Sequence, residues 1–455
     1  MSKLTSYYLP GLFVEDHAVE VPLDWRGTEP ARVAKDGLPE GERLELFYRV
    51  VCAAENVGKP LPLLVYLQGG PGGKGPRLLS PTSDGWVAEA IKHFRLVLPD
   101  QRGTGRSSHV SRQSIAARGN AEAQADYLKR FLARSIVRDF EYLRLAEFDG
   151  QQWVTLGQSY GGFLTLTYLS FYPEGVRASF TCGGIPHVPA SAAEVYAHTF
   201  PRMIKKTRAY YERYPEDEAR MAAVADRLAT GDVRLPDGSP FTPRRLQQLG
   251  QGLGMKPAPE RIHNLLDSAF EAGNGGIPTD IAHAQLTDGF LMGALQNLTT
   301  ADNPLYWTLQ EFIYADGKMD HPIDWAAAHE YVHRPEFDAS ARPLMLSGEA
   351  CFPWMFEDDP LLAPLKPAVD LMMADTDFDA VYDQDQLAAN TVPLQSAVYF
   401  DDLYVDSGMQ LDTLSRVGTS HAWVTNEFEH DGLHGGKVFR HLFDEACNRG
   451  DLEGI

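Results

Sequence analysis

The run Gly157-Gln158-Ser159-Tyr160-Gly161 restricts the fold more than any other stretch of this chain. It follows the apolar, strand-like Trp153-Leu156 directly and leads directly into the helical stretch Phe163-Ser170. Passing from strand to helix in so few residues demands a sharp turn, and small flanking residues let a serine take a strained backbone with its hydroxyl exposed. A plain glycine-rich turn is the competing reading of the pattern. The elements on either side favour a nucleophile at Ser159.

Around this elbow the chain alternates strand-like and helical runs. Leu44-Cys52, Leu63-Leu67, Leu96-Pro99, Trp153-Gly157 and Ala178-Cys182 read as strands, and Val137-Ala146 as a crossover helix. Leu63-Leu67 and Leu96-Pro99 are apolar almost throughout, as strands covered on both faces are. The expectation is an α/β fold with a doubly wound, mainly parallel sheet. From about Pro189 to Val392 the texture becomes helical, in Ala192-Tyr214, Asp217-Thr230, Arg244-Leu253, Asp280-Asn297, Leu305-Ala315 and Trp325-Val332. Strand patterns return at Leu394-Phe400 and His421-Phe428, each followed by a helical stretch. A length of 455 residues has room for both parts. We therefore divide the chain into a core, residues 1–188 and 393–455, and a helical insertion, residues 189–392.

A serine hydroxyl needs a histidine base, itself oriented by a carboxylate, and in folds with this elbow the order is serine, acid, histidine. The strand Leu394-Phe400 ends in Asp401-Asp402, at the edge where parallel sheets carry their sites. One of the two is the candidate acid. His421, His430, His434 and His441 follow. His430, in Glu-His-Asp-Gly just past the last strand, is the best placed, because His421 opens the strand and His441 lies inside the final helix. His430 and His434 have the spacing of a metal pair, but Gly432 breaks the helix that such a pair needs, so no metal is expected. Backbone N–H groups suit an oxyanion, and Gln68-Gly69-Gly70-Pro71-Gly72-Gly73 follows a strand where one donor, Gly70, is due; Tyr160, after the nucleophile, supplies the other. Gly75 after Lys74 excludes a phosphate loop, and Gly103-Thr104-Gly105 lacks the third glycine of a dinucleotide site.

Charge narrows the partners. With 41 Lys+Arg against 62 Asp+Glu the net charge is −21, which repels a phosphate backbone, so nucleic acid is not expected. The start of the chain lacks the apolar core of a signal peptide, and no stretch has the length of a membrane span. A soluble, cytoplasmic protein without membrane contact is expected. Cys52, Cys182, Cys351 and Cys447 lie far apart with no C-x-x-C pair and read as buried thiols. The sequence is silent on oligomeric state.

Four stretches together carry a family resemblance: Gly69-Gly70-Pro71-Gly72, Asp100-Gln101-Arg102-Gly103-x-Gly105-x-Ser107, Gly157-Gln158-Ser159-Tyr160-Gly161-Gly162 and Glu429-His430-Asp431-Gly432. The chain resembles the prolyl aminopeptidases, or proline iminopeptidases, serine peptidases of the α/β-hydrolase fold. The resemblance covers about Leu61 to Gly184 and Val392 to Gly436, and the insertion only loosely. It implies removal of an amino-terminal proline from short peptides with a free amino terminus, without cofactor, by Ser159, Asp402 and His430. Asp402 is preferred to Asp401 because Val392-Pro393 aligns with the family's strand-opening Ile-Pro. Gln68 stands where many relatives have His, and Phe400-Asp401-Asp402 replaces the commoner Gly-Arg-Tyr-Asp. Family members bind the substrate amine with glutamates of the inserted domain. Glu311 and Glu349, each isolated among apolar residues, are the candidates, against the alternative of a capped or surface carboxylate. Phe352, Trp354 and Tyr306 are candidate walls of a pyrrolidine pocket, against plain core. A small-molecule esterase or amidase, and a non-catalytic binding protein on the same fold, are the rival readings.

Overall fold

The computed structural model describes residues 3–271 and 276–454. Nine strands form one sheet: β1 (Lys3–Leu9), β2 (Leu12–Pro22), β3 (Arg43–Ala53), β4 (Leu63–Leu67), β5 (Arg95–Pro99), β6 (Trp153–Gln158), β7 (Val176–Cys182), β8 (Leu394–Tyr399) and β9 (Ser420–Thr425). Their spatial order is β1-β2-β3-β5-β4-β6-β7-β8-β9. The pairs from β1 to β5 are antiparallel, and all pairs from β5 to β9 are parallel. The mainly parallel sheet expected from the alternation of elements is present.

The all-apolar strands are explained by the two cores that the sheet separates. Leu63, Val65 and Leu67 of β4 pack with Phe140 and Leu143 of the helix Ala133–Glu147 and with Leu164 of the helix Tyr160–Phe171. Leu64 and Tyr66, pointing the other way, pack with Trp86 of the helix Gly85–Ala90 and with Phe439 and Leu442 of the helix Lys437–Arg449. Helices on both faces leave no solvent side, so the strand needs no polar alternation.

The hairpin of β1 and β2 was not among the expected strands. Leu9 pairs with Leu12 across Pro10-Gly11, where Gly11 takes a φ of 74°. Charged residues break the apolar pattern of β2, yet Asp16 is buried because Arg49 and Arg106 both bind its carboxylate at 2.9 Å.

Between β7 and β8 the described residues form helices, 3₁₀ turns and isolated bridges, without a further named strand. Helices there are shorter than periodicity predicts. The run Arg244-Leu253 is α-helical only to Gln247 and continues as a 3₁₀ segment to Gly254, because Gly250, Gly252 and Gly254 propagate an α-helix poorly. The run Asp280-Asn297 becomes helical only at Asp288, where the Thr287 side chain caps the helix by accepting from Phe290 N at 3.0 Å. Leu305-Ala315 divides into an α-turn, Leu305–Leu309, and a 3₁₀ turn, Phe312–Tyr314. Of the four cysteines, Cys52, Cys182 and Cys351 are buried as expected, but Cys447 is exposed, on the outer side of the last helix. Among the described residues no helix is long and apolar enough to cross a membrane.

One buried ion pair locks the core. Arg102 and Asp139 are both fully buried and meet through two bonds of 2.7 and 2.6 Å. The guanidinium also donates to the carbonyls of Pro22, Leu23 and Arg130, and Trp25 Nε1 donates to Asp139 at 2.7 Å. With its partners complete, the pair ties the end of β2 and the loop after β5 to the helix Ala133–Glu147. Removing the cation strands the carboxylate. We expect Arg102→Ala to lower unfolding stability by about 3–5 kcal/mol, read from the urea midpoint.

Candidate active site

The elbow between β6 and the next helix puts Ser159 at φ 57° and ψ −129°, a conformation that a residue with a side chain holds only under constraint. The constraint comes from both sides: Ser159 N donates to Cys182 O at 3.1 Å and Gly162 N to Ser159 O at 2.8 Å. The flanking glycines are needed for space. A methyl group on Gly161 would overlap the Leu67 carbonyl at the end of β4, and one on Gly157 would overlap the Gly161 carbonyl.

The glycine loop after β4 lies against this elbow. A Cβ on Gly69 would stand 2.8 Å from Gln158 O and 3.0 Å from Ser159 Cβ, and Gly70 adopts a φ of 122°. The loop is held by the residues after β5. Asp100 accepts from Gly75 N at 2.9 Å, from Arg106 N at 2.8 Å and from the Arg77 guanidinium at 2.8 and 2.5 Å. Gln101 Nε2 donates to Gln68 O at 2.6 Å, and Asn303, from the insertion, donates to Pro71 O at 2.9 Å. Gly70 lines the cavity above Ser159, and Tyr160 is the first residue of its helix, whose N–H has no partner within that helix.

His430 Nδ1 lies 2.8 Å from Asp402 Oδ2, and both side chains are buried. The other Asp402 oxygen accepts from Tyr404 N at 2.8 Å and Val405 N at 3.1 Å, so the carboxylate is fixed in plane. Asp401 points away and pairs with Lys205 at 2.7 Å, which lowers its pKa. The loop of His430 is braced from three directions: His430 N donates to Gly254 O at 3.0 Å, Gln158 Nε2 reaches His430 O at 3.3 Å, and the Tyr404 ring meets the imidazole edge-on at 4.6 Å. Burial opposes an imidazolium here, but the Asp402 carboxylate outweighs it, assisted by Glu349, and holds the His430 pKa above its ordinary value of 6.5. With Nδ1 on the carboxylate, Nε2 is the ring nitrogen left to accept a proton. Of the other histidines, His434 binds Asp84 at 2.8 Å on the rim, and His441 stacks on Trp423.

Ser159, His430, Gly70 and Glu349 line one cavity of about 340 Å³. Glu349 comes from the insertion and accepts a bond from the Tyr306 hydroxyl, which also lines the cavity. Burial raises the Glu349 pKa, against the Tyr306 bond and the charge of His430. Glu311 is not brought to this cavity. Its carboxylate is buried elsewhere and accepts from Ala326 N at 2.9 Å and Ala327 N at 3.1 Å, at the start of the helix Ala326–Val332. It therefore caps a helix, the alternative to amine binding that its sequence also offers. Phe352 and Trp354 stack on each other at 5.3 Å and, unlike Tyr306, are not part of the cavity wall. Tyr404, Asn303 and the Gly254 carbonyl were not anticipated as parts of the site. Tyr404 stands two residues past Asp402, whereas Asn303 and Gly254 lie in the insertion, where the sequence near them carries no catalytic pattern.

A sequence profile of the α/β-hydrolase fold matches residues 62–217. The chain is 39% identical over 439 residues to the proline iminopeptidase of Aeromonas sobria, covering 95% of this chain and 96% of that one. It is 31% identical to the proline iminopeptidase aneH of Aspergillus aculeatus, over 90% of each chain. The crystal structure of a proline iminopeptidase of Mycobacterium smegmatis is similar at 16% identity and a TM-score of 0.41, over 92% of this chain and 98% of that one.

The placement of Glu311 has a measurable consequence. Burial pushes its pKa up to about 8, against the two N–H bonds and with Asp324 adding to the rise. The folded state therefore holds a proton that the unfolded chain releases near the ordinary value of 4.5. Its contribution to stability is full below 4.5 and is lost as pH rises through about 8. Comparing urea midpoints between pH 5 and 9, we expect Glu311→Gln to lose that part of the decline that wild type shows.

Proposed function

Because the chain belongs to the proline iminopeptidase family of α/β hydrolases, we propose that it is a serine aminopeptidase that releases amino-terminal proline from short peptides. One observation carries the assignment of roles: a strained serine, a histidine held by a buried carboxylate, and a buried glutamate bound by the Tyr306 phenol line the same cavity. Ser159 is the nucleophile, His430 the base, and Asp402 the group that orients the ring and stabilises the imidazolium.

Ser159 Oγ attacks the carbonyl carbon of the first residue while His430 Nε2 takes the hydroxyl proton. The N–H groups of Gly70 and Tyr160 receive the oxyanion, at no cost in side-chain entropy. His430 then returns the proton to the leaving amine, and the peptide departs. Water repeats the sequence on the acyl-enzyme and frees proline. No step calls for a cofactor.

Glu349 supplies amine recognition. Burial disfavours its charge while the cavity is empty, and a substrate ammonium restores it through a charge-assisted hydrogen bond. An acylated amine has no charge to offer and leaves the glutamate worse off. The insertion, residues 189–392, acts as a cap, because it brings Glu349, Tyr306 and Asn303 over the serine and closes the end of the cleft that an internal residue would cross. The work is done in the cytoplasm, where an exposed thiol such as Cys447 persists.

The decisive comparison is proline 2-naphthylamide against its N-acetylated form. We expect wild type to cleave only the first, and Ser159→Ala to lose roughly 10⁶-fold in kcat. Glu349→Gln should raise KM by about tenfold or more. Cleavage of a simple acyl ester but of neither amide would defeat the peptidase reading in favour of an esterase. In the pH profile, kcat/KM rises through a midpoint above 6.5 as His430 loses its proton. Asp402→Asn should lower that midpoint and cost about 10⁴-fold in kcat; a midpoint that does not move would remove Asp402 from its role.

A further inference from the structure

The cavity above Ser159 shares one wall residue with a neighbouring hollow. Met255, from the insertion, lines it and also lines a second cavity of about 390 Å³. A large apolar side chain left 39% exposed between two hollows is a wall waiting for a neighbour. The second cavity is lined by Leu253, Pro257 and Glu429, the residue before His430. The segment that carries Met255 is fixed to the loop of the base, since Gly254 O accepts from His430 N at 3.0 Å and Lys256 N donates to the Asp431 carboxylate at 3.2 and 3.3 Å.

This position matters for the reaction read above, on which the following rests. His430 gives its proton to the leaving amine, so the chain beyond the scissile bond begins beside His430 and runs outward past its loop. With the amine end held at Glu349, a chain that runs past Met255 meets the second cavity. Three cations face that cavity, and two are already neutralised: Lys206 by Glu429 and Arg213 by Glu260, each at 2.6 Å. Lys256 makes no ion pair among the described residues, and its ammonium rests on the Glu427 carbonyl at 3.0 Å.

We propose that the second cavity is the subsite for the departing part of the peptide, and that Lys256 binds its terminal carboxylate while Met255 packs on the side chain after proline. At about 3.5 Å per extended residue, the reach from His430 to a lysine side chain whose own backbone touches Asp431 suits one or two residues after the scissile bond. The enzyme is thereby selective for free di- and tripeptides, held by a charge at each end.

The test measures kcat/KM for prolyl-alanine, prolyl-alanyl-alanine and the carboxyl-terminal amide of each. Wild type, Lys256→Gln and Lys256→Arg are compared, with wild-type hydrolysis of proline 2-naphthylamide as the control. For an exposed charge pair we expect wild type to favour the free acid over the amide by about fivefold at one of the two lengths, through KM and not kcat. Lys256→Gln should bring that ratio to about one and Lys256→Arg should keep it, and 0.5 M salt should shrink it, as about a 4 Å Debye length requires. Equal rates for acid and amide at both lengths in wild type, or a ratio that survives Lys256→Gln, overturns the subsite. Failure of wild type to cleave proline 2-naphthylamide overturns the peptidase reading itself, so the two failures are distinct.

Discussion

The molecule is arranged around a contact between two pieces of backbone, where the Leu67 carbonyl at the end of β4 meets Gly161 at the start of the helix after β6. No side chain fits between them. The helix can therefore begin only where it does, and Ser159, caught between strand and helix, is left with a positive φ. Strain of this kind costs roughly 1–3 kcal/mol and persists only when the surroundings over-determine it. Here the surroundings are the neighbouring strands β4 and β7 and the glycine loop, all packed too closely to let the serine relax.

Three consecutive residues then distribute that rigidity. Asp100 gathers Gly75, Arg77 and Arg106, Gln101 holds the Gln68 carbonyl, and Arg102 turns inward to Asp139. Their bonds fix the loop that carries Gly70 and anchor it to the core. A stretch that carries the family resemblance is in physical terms a bracket.

Much of this was legible in the sequence because it depends on local pattern. The strands β3 to β9 begin and end within a few residues of their apolar runs, and the elbow is recognisable from its glycines. The hairpin of β1 and β2 was not, since Glu15, Asp16 and Glu20 break the alternation and their partners, Arg95, Arg49, Arg106 and Arg43, lie far along the chain. Pro10-Gly11 between apolar neighbours was the available signal. Glu311 and Glu349 look alike in sequence, each an acid among apolar residues. What separates them is the helix start at Ala326, which absorbs the first and has no counterpart for the second. The choice between Asp401 and Asp402 likewise turns on contacts far away in sequence, Lys205 for one and His430 for the other.

The bond from His430 N to the Gly254 carbonyl joins the base to the insertion, not to the sheet that carries the serine. Asn303 makes a similar link from the insertion to the glycine loop. The base and the oxyanion loop therefore rest on the same part of the chain. The geometry of the reaction thus depends on a part of the chain that contributes neither the nucleophile nor the base.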